Sequence, residues 1–445
     1  MGGYIHQAAQ ASGKEAGMEN IFQEWQWRNL VYDHTEGIAE LLGKEKITAY
    51  NGFDPTADSM HVGHLVPMVG LARLQRYGHH PIALAGGGTG MIGDPSGRST
   101  ERNLLSKETL AENVEKIKGQ LASILDFEVK TNPARLVNNL DWLSQLSMID
   151  YLRDVGKHFT INYMLAKDSV QTRIEREDGL SYTEFSYMLL QSYDYYHLYQ
   201  TYGCILQTGG SDQWGNITAG TTFVRKVTGT TVHGVVYPLI TRTDGTKFGK
   251  TADGESVWLA PERTSPYQFY QFFFNIEDAK VVQMLCYYTF LSQAEIGELA
   301  QAVQERPHLR EAQRRLAQAV TRLVHGESGL AKAEQATKVL FGGEIVGLGA
   351  QEIQEIFAAA PSTTVLASGF AGDGMPLVNL LEIAGIAKSR GEARRVIESG
   401  GVYVNNVRAN DANRAVALSE SIEGKFLVLR KGKKDYALVR INPEG

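Results

Sequence analysis

The chain has 445 residues, 43% hydrophobic and 21% charged, a balance that excludes wholesale disorder and is enough for a large buried core. At roughly 150 residues per domain, about three domains are expected. Forty-four basic against fifty acidic side chains leave −6, so no global positive field recruits nucleic acid. Cys204 and Cys286 form no C-x-x-C pair, which argues against a disulfide scaffold or a structural zinc and fits a reducing cytoplasm. The longest apolar runs, such as Pro81–Ala85, are far below the ~20 residues of a membrane span, so no membrane partner is expected.

Residues 1–17 are small and polar with no apolar run and read as a flexible leader. From about residue 30 to 260, short β-rich runs alternate with amphipathic stretches, the pattern of a parallel α/β sheet. Strands are predicted at Ile47–Phe53, Ile82–Ala85, Cys204–Thr208 and Val235–Thr241. Residues 277–340 read as helices, with Leu316, Val320, Leu323 and Val324 on one face. A stretch rich in small residues, Ala358–Pro376, reads as a domain seam, and 376–445 as a small α+β unit.

In open parallel sheets, ligands bind beyond the carboxyl ends of the strands. Each predicted strand runs into an unusual segment. The first, YNGFDPTADSMHVGH, places His61 and His64 at i, i+3 where a helix begins, so that both face one anion alongside the helix N–H groups. The second, GGGTGMIGDPSGRSTER, contains a G-x-G-x-x-G match, but Pro95 and Gly97 interrupt the helix that a dinucleotide site needs. What remains is a loop of close approach, with Asp94 as a carboxylate and Arg98 and Arg102 as cations. The third is a helix over 182–202 with Tyr187, Gln191 and Asp194 on one stripe, followed by the strand-end segment GGSDQW. The fourth, TDGTKFGKTADGE, sets Lys247 and Lys250 among glycines as point charges for phosphate. Taken singly, each also fits a solvated surface; their convergence at strand ends points to one site.

Together these segments resemble the class I aminoacyl-tRNA synthetases. His61-Val-Gly-His64 resembles the first signature of that class, and Lys247-Phe-Gly-Lys250-Thr251 the second. YNGFDPT, GGGTGMIGDPSGR, YMLLQSYD and GGSDQWGN narrow the resemblance to the bacterial tyrosyl-tRNA synthetase family, from about residue 20 onward. The resemblance implies a Rossmann-like α/β catalytic domain over 18–260, with a connective, dimer-forming insertion at about 135–175. It further implies a helical anticodon-arm-binding domain over 261–342, a linker over 343–375 and an S4-like RNA-binding domain over 376–445.

By the same resemblance, Tyr50 and Asp194 bind the substrate phenol, and Asp94, Tyr187, Gln191 and Gln213 surround its ammonium. ATP falls to Gly52, Asp54, Thr56, His61, Gly63, His64, Gly210, Asp212, Gln213 and Thr251. Thr56, His61, His64, Arg98, Arg102, Lys247 and Lys250 handle the phosphates chemically. Asn51 stands where many relatives carry Cys, at a ribose contact. The implied reaction activates L-tyrosine with Mg²⁺-ATP and transfers it to tRNA(Tyr), with no tightly bound cofactor and no metal-binding residue set. The implied protein is a cytoplasmic homodimer.

Residues 376–445 carry twelve Lys and Arg against eight Asp and Glu, a net of +4, which leaves −10 on the other 375 residues. A basic module on an acidic body suits a phosphate-bearing partner. Ser389 and Glu392 read as a capping box opening a helix, and with Lys388 its Arg390, Arg394 and Arg395 are the expected tRNA contacts. Arg310, Arg314 and Arg315 in the helical stretch are expected to extend that surface. Three rivals stand beside this reading: a small nucleotidylyltransferase with the same HxGH chemistry, a tryptophanyl synthetase, and a non-catalytic RNA-binding scaffold.

Overall fold

The computed structural model describes residues 20–96, 105–174, 179–241, 248–250, 254–358, 360–432 and 435–443. The chain divides into two compact units, one holding residues up to Thr264 together with Phe272–Val324, the other Ser265–Gln271 with His325–Gly445.

The first unit is built on a six-stranded sheet of β1 (Asp33–His34), β2 (Thr48–Phe53), β3 (His80–Ala85), β4 (Arg135–Asn138), β5 (Cys204–Gly210) and β6 (His233–Tyr237), in the order β1-β6-β5-β2-β3-β4. All neighbours are parallel except the two-residue edge β1. From β2 the chain winds outward through β3 to β4, then returns to β5 on the other side of β2 and winds outward to β6. The order therefore reverses between β2 and β5, the place where ligands sit in doubly wound sheets.

The predicted strands are present with shifted ends. β3 begins two residues earlier than expected, and β6 stops at Tyr237 rather than Thr241, because Pro238 has no N–H for the ladder. Residues 135–138, expected inside an insertion, are instead strand β4 of the sheet itself, pairing with Ile82–Ala85. The following helical stretch is not a detached excursion either. Val155, Phe159, Met164 and Val170 share a buried cluster with Met188, Leu189 and Phe223.

The helix Tyr182–Tyr202 matches its expected limits, for visible local reasons. Ser181 accepts the Glu184 N–H as N-cap, and Gly203 closes the helix in the left-handed conformation at φ 59°. Helices Asp278–Tyr288 and Gln293–Glu305 and the stretch Glu311–Leu340, which Gly326 breaks into two helices at φ 71° and ψ −176°, account for the expected helical stretch. Leu316 and Val320 are fully buried, whereas Leu323 and Val324 are half-buried. The expected separate helical domain over 261–342 is not a body of its own, because its residues are shared between the two units. Arg310 Nη2 donates to the carbonyls of Phe274 and Ile276.

In the second unit, β7 (Ser362–Leu366), β9 (Val402–Val404), β10 (Val407–Ala409), β12 (Phe426–Lys431) and β13 (Asp435–Asn442) form a sheet in the order β10-β9-β12-β13-β7, and the short β8 (Met375–Pro376) pairs with β11 (Ala415–Val416). The expected linker 343–375 is largely structure. Helix Ala350–Ile356 buries Ile353 and Ile356 against Val428 and Leu438, and β7 pairs in parallel with β13. The helix Arg390–Glu398 is capped by Ser389, but the carboxylate of Glu392 accepts from Lys388 N and the Lys431 ammonium, so the reciprocal bond of a capping box is absent.

Asn406 joins this sheet to the helix end at Leu340. Its Nδ2 donates to the carbonyls of Val339 and Gly343, and its Oδ1 accepts from Arg430 Nε. Its φ is 63°, in the left-handed region that asparagine tolerates better than alanine. Asn406→Gly loses the hydrogen bonds alone; Asn406→Ala adds backbone strain of about 1 kcal/mol. Urea denaturation of the full chain is expected to rank stability as wild type, then the glycine variant, then the alanine variant.

Candidate active site

Beside the reversal point β2 carries Tyr50, which is 1% exposed, and the helix Tyr182–Tyr202 carries Asp194, also 1% exposed. A buried carboxylate needs partners. Asp194 has two: the Trp142 indole N–H donates to Oδ1 at 2.8 Å, and the Asn139 amide donates to Oδ2 at 2.9 Å. Burial still pushes its carboxyl up to about 7, against these bonds, which favour the charged form. The Tyr50 hydroxyl is buried without a hydrogen-bond partner, and burial together with the Asp194 charge holds its pKa well above the usual phenol value. One orphaned hydroxyl and a nearby buried carboxylate make a pocket end suited to a ligand hydroxyl, which can donate to one and accept from the other.

A second polar network lies in front of it. The Tyr187 hydroxyl donates to Asp54 Oδ2 at 2.9 Å, and Thr89 donates to Asp54 Oδ1 at 2.8 Å. Asn139 Nδ2 in turn donates to Thr89 Oγ1, which links the two networks. Gln213 Nε2 donates to Asp94 Oδ2 at 2.7 Å, and Gln191 donates to Gln213 Oε1 at 3.3 Å. The structure thus brings together Asp94, Gln191 and Gln213 as expected, but it gives the Tyr187 hydroxyl to Asp54. Carboxylates and amide oxygens converge here, an environment for a cationic amine.

The glycine run Gly86–Gly88 follows from this crowding. A Cβ on Gly86 would stand 2.0 Å from Asp54 Oδ1, and one on Gly87 would stand 2.4 Å from Asn138 Oδ1. The Gly88 N–H donates to Asn139 Oδ1. The run is glycine because the ends of β2 and β4 lean into it.

The rim is more exposed and carries the phosphate-binding candidates. His61 and His64 cap the turn Val62–His64 reciprocally: Gly63 N–H donates to His61 Nδ1, and His61 N–H donates to His64 Nδ1. With both Nδ1 atoms accepting, each neutral ring carries its proton on Nε2, as a donor for an anion. A Cβ on Gly63 would meet the His61 ring at 2.8 Å, so only glycine lets that ring fold back. Thr56 and Gly52 are exposed beside this turn in sequence, Gly210 ends β5, Asp212 follows it, and Lys250 is exposed. Asn51 is buried: its Nδ2 donates to Gly52 O and its Oδ1 accepts from Thr208. Arg98, Arg102, Lys247 and Thr251 lie outside the described residues.

Sequence reasoning missed Asn139, Trp142 and Thr89. Asn139 and Trp142 follow β4, a strand that was not foreseen, and the strand-end rule would have flagged both. Missed as well was a strap: Val62 N–H donates to Val257 O, and Leu259 N–H donates to Met60 O.

The model of the tRNA synthetases class I (W and Y) matches residues 42–342, more than half of the chain. The chain belongs to that family. A second model, the tyrosine–tRNA ligase SYY-like C-terminal domain, matches 352–439. A relative from Roseiflexus castenholzii described as tyrosine–tRNA ligase is 56% identical over 95% of this chain and 100% of its own length. One of the same description from Geobacillus stearothermophilus is 50% identical over 95% of this chain and 99% of its own. The crystal structure of a C-terminally truncated mitochondrial tyrosyl-tRNA synthetase from Aspergillus nidulans superposes with a TM-score of 0.67 at 30% identity, covering 76% of this chain and 98% of that one.

The raised Asp194 carboxyl has a measurable consequence. A carboxyl whose folded pKa exceeds its unfolded value binds its proton more tightly when folded, so stability is lost as pH rises from the unfolded value of about 4 to the folded value near 7. The stability difference between wild type and Asp194→Asn is therefore expected to move in the variant's favour across that window and to level off above it. Urea titrations of ligand-free protein at a series of pH values read this directly.

Proposed function

We propose that the protein is a tyrosine–tRNA ligase. Tyrosine's carboxylate attacks the α-phosphorus of ATP; the bond to the β-phosphate oxygen breaks, and pyrophosphate leaves with its electron pair. A ribose hydroxyl of the terminal tRNA adenosine then attacks the tyrosyl carbonyl, and AMP leaves. The observation that carries this reading is the Tyr50 hydroxyl, buried and unpartnered, in the same pocket as the Asn139- and Trp142-bound carboxylate of Asp194. A tryptophan indole would place its N–H differently and would leave one of the two polar groups unmet.

A substrate carboxylate is already ionised at pH 7, so the first step needs no general base. Catalysis is then positioning plus stabilisation of charge growing on the phosphates. His61 and His64 donate from Nε2; Lys250, with Lys247, Arg98 and Arg102, supplies positive charge, and Mg²⁺ arrives with ATP. Thr56 and the glycines at 52, 63 and 210 allow close approach, while Asp54, Asp212 and Gln213 border the nucleotide. Asp94, Tyr187, Gln191 and Gln213 hold the ammonium side.

The exposed Lys388, Arg390, Arg394 and Arg395 offer phosphate contacts for tRNA(Tyr). A homodimer is supported by apolar exposure concentrated in one stretch: Met148 at 73%, Ile149 at 68%, Ile161 at 60% and Tyr182 at 69%. Among the described residues no helix is long and apolar enough to cross a membrane, and we place the reaction in the cytoplasm with its substrates.

Amino-acid-dependent ATP–pyrophosphate exchange, run over all proteinogenic amino acids without tRNA, is expected to respond to tyrosine only. Exchange with tryptophan would overturn the pocket assignment. His61→Ala and Lys247→Ala are each expected to lower turnover by about a hundredfold while leaving tyrosine affinity nearly unchanged. Equal losses in both would remove those residues from the phosphate site. Sedimentation of Ile161→Glu is expected to show a monomer where the wild type shows a dimer.

A further inference from the structure

The second signature segment does not simply follow the first in space; it is packed on it. Gly249 has φ 104°, and a Cβ there would stand 3.0 Å from Val62 Cγ2, inside the histidine turn. Gly249 O accepts from Val257 N–H at 2.9 Å, and Val257 O accepts from Val62 N–H at 3.0 Å, so a backbone relay runs from the lysine segment to the histidine turn. Lys250 forms a bridge with Ser256, and His61 with Trp258, on the same strap.

An aromatic nest holds the other side. The Phe248 ring lies 5.1 Å from that of Phe272 and 6.1 Å from that of Tyr288, the latter nearly stacked at 30°. Tyr288 is 1% exposed, and its hydroxyl donates to Val62 O at 3.2 Å, an oxygen that also accepts the Leu65 N–H. One side chain thus touches the lysine segment with its ring and the histidine turn with its hydroxyl.

Tyr288 is itself held firmly. It ends the helix Asp278–Tyr288, whose terminal carbonyls are gathered by a buried guanidinium: Arg73 Nη2 donates to Cys286 O, Tyr287 O and Thr289 O. Arg28 Nη1 donates to Cys286 O as well. Arg73 lies on the helix Leu65–Arg76, which continues directly from the histidine turn. The path from His64 down that helix, across Arg73 and back through Tyr288 to Val62 is a closed, buried ring of contacts.

We propose that Tyr288 is a positioning residue for amino-acid activation: through its stack on Phe248 and its hydrogen bond to Val62, it holds Lys250 in register with His61 and His64. This rests on the reading of those three residues as phosphate-binding groups. A buried tyrosine hydroxyl needs an acceptor in any case, so kinetics must separate positioning from core filling. Removal of a core filler alone would lower stability without separating turnover from binding. Positioning predicts the separation, because misplaced donors weaken the transition state more than they weaken tyrosine binding.

The test is pyrophosphate exchange and equilibrium dialysis of tyrosine on the full-length wild type and on Tyr288→Phe, Phe248→Ala and Phe248→Leu. Tyr288→Phe keeps the ring and removes one hydrogen bond, and is expected to lower kcat about threefold to tenfold. Phe248→Ala empties the nest and is expected to lower kcat by about tenfold or more, with recovery of most of the loss in Phe248→Leu. In all three, the tyrosine Kd should stay within about twofold. The proposal is overturned if folded Tyr288→Phe and Phe248→Ala keep wild-type kcat, or if tyrosine affinity falls in step with kcat. Absence of tyrosine-dependent exchange in the wild type would instead refute the proposed function, and this assignment with it.

Discussion

Burying a carboxylate is expensive unless its oxygens are met, and the arrangement around Asp194 follows from that cost. Each oxygen takes one donor, from Trp142 and from Asn139, both of which come from just beyond β4. For those donors to arrive, β4 must lie beside β3, and the glycine run after β3 must carry no side chains where Asn138 and Asp54 lean in. The Tyr50 hydroxyl is left buried without a protein partner among the described residues. Under the proposed function, a hydroxyl-bearing ring completes this arrangement.

Charge is graded along the site. Asp194 and Asp94 are buried, Asp54 and Asp212 are half-buried, and Lys250 is exposed at the rim. The two histidines spend Nδ1 on capping each other's turn, so local folding selects the tautomer that donates outward. One short motif therefore sets helix start, ring orientation and proton placement together, and the strap from Val257 to Leu259 ties it to the lysine segment.

Much of this was legible in the sequence because the functional loops sit at strand ends and carry unusual composition. The four strands that run into such loops were placed within a few residues, and the helix Tyr182–Tyr202 at its observed limits. β4 was missed because RLVN is short, and β7 because STTVL is polar and buries only Val365. Both are defined by distant partners, which no local pattern reveals. The same applies to Asn139 and Trp142, whose importance depends on a carboxylate fifty residues away or more. Periodicity places Tyr187 on one face of its helix with Gln191 and Asp194, but it does not reveal that the Tyr187 hydroxyl donates to Asp54.

The central claim is that the buried pair of Tyr50 and Asp194 reads a ligand hydroxyl. Calorimetric binding of L-tyrosine and L-phenylalanine to the wild-type protein, without ATP or tRNA, tests it most directly. The account predicts saturable binding of tyrosine and much weaker binding of phenylalanine, whose ring would leave the Tyr50 hydroxyl unmet. Comparable affinities for the two amino acids would contradict it.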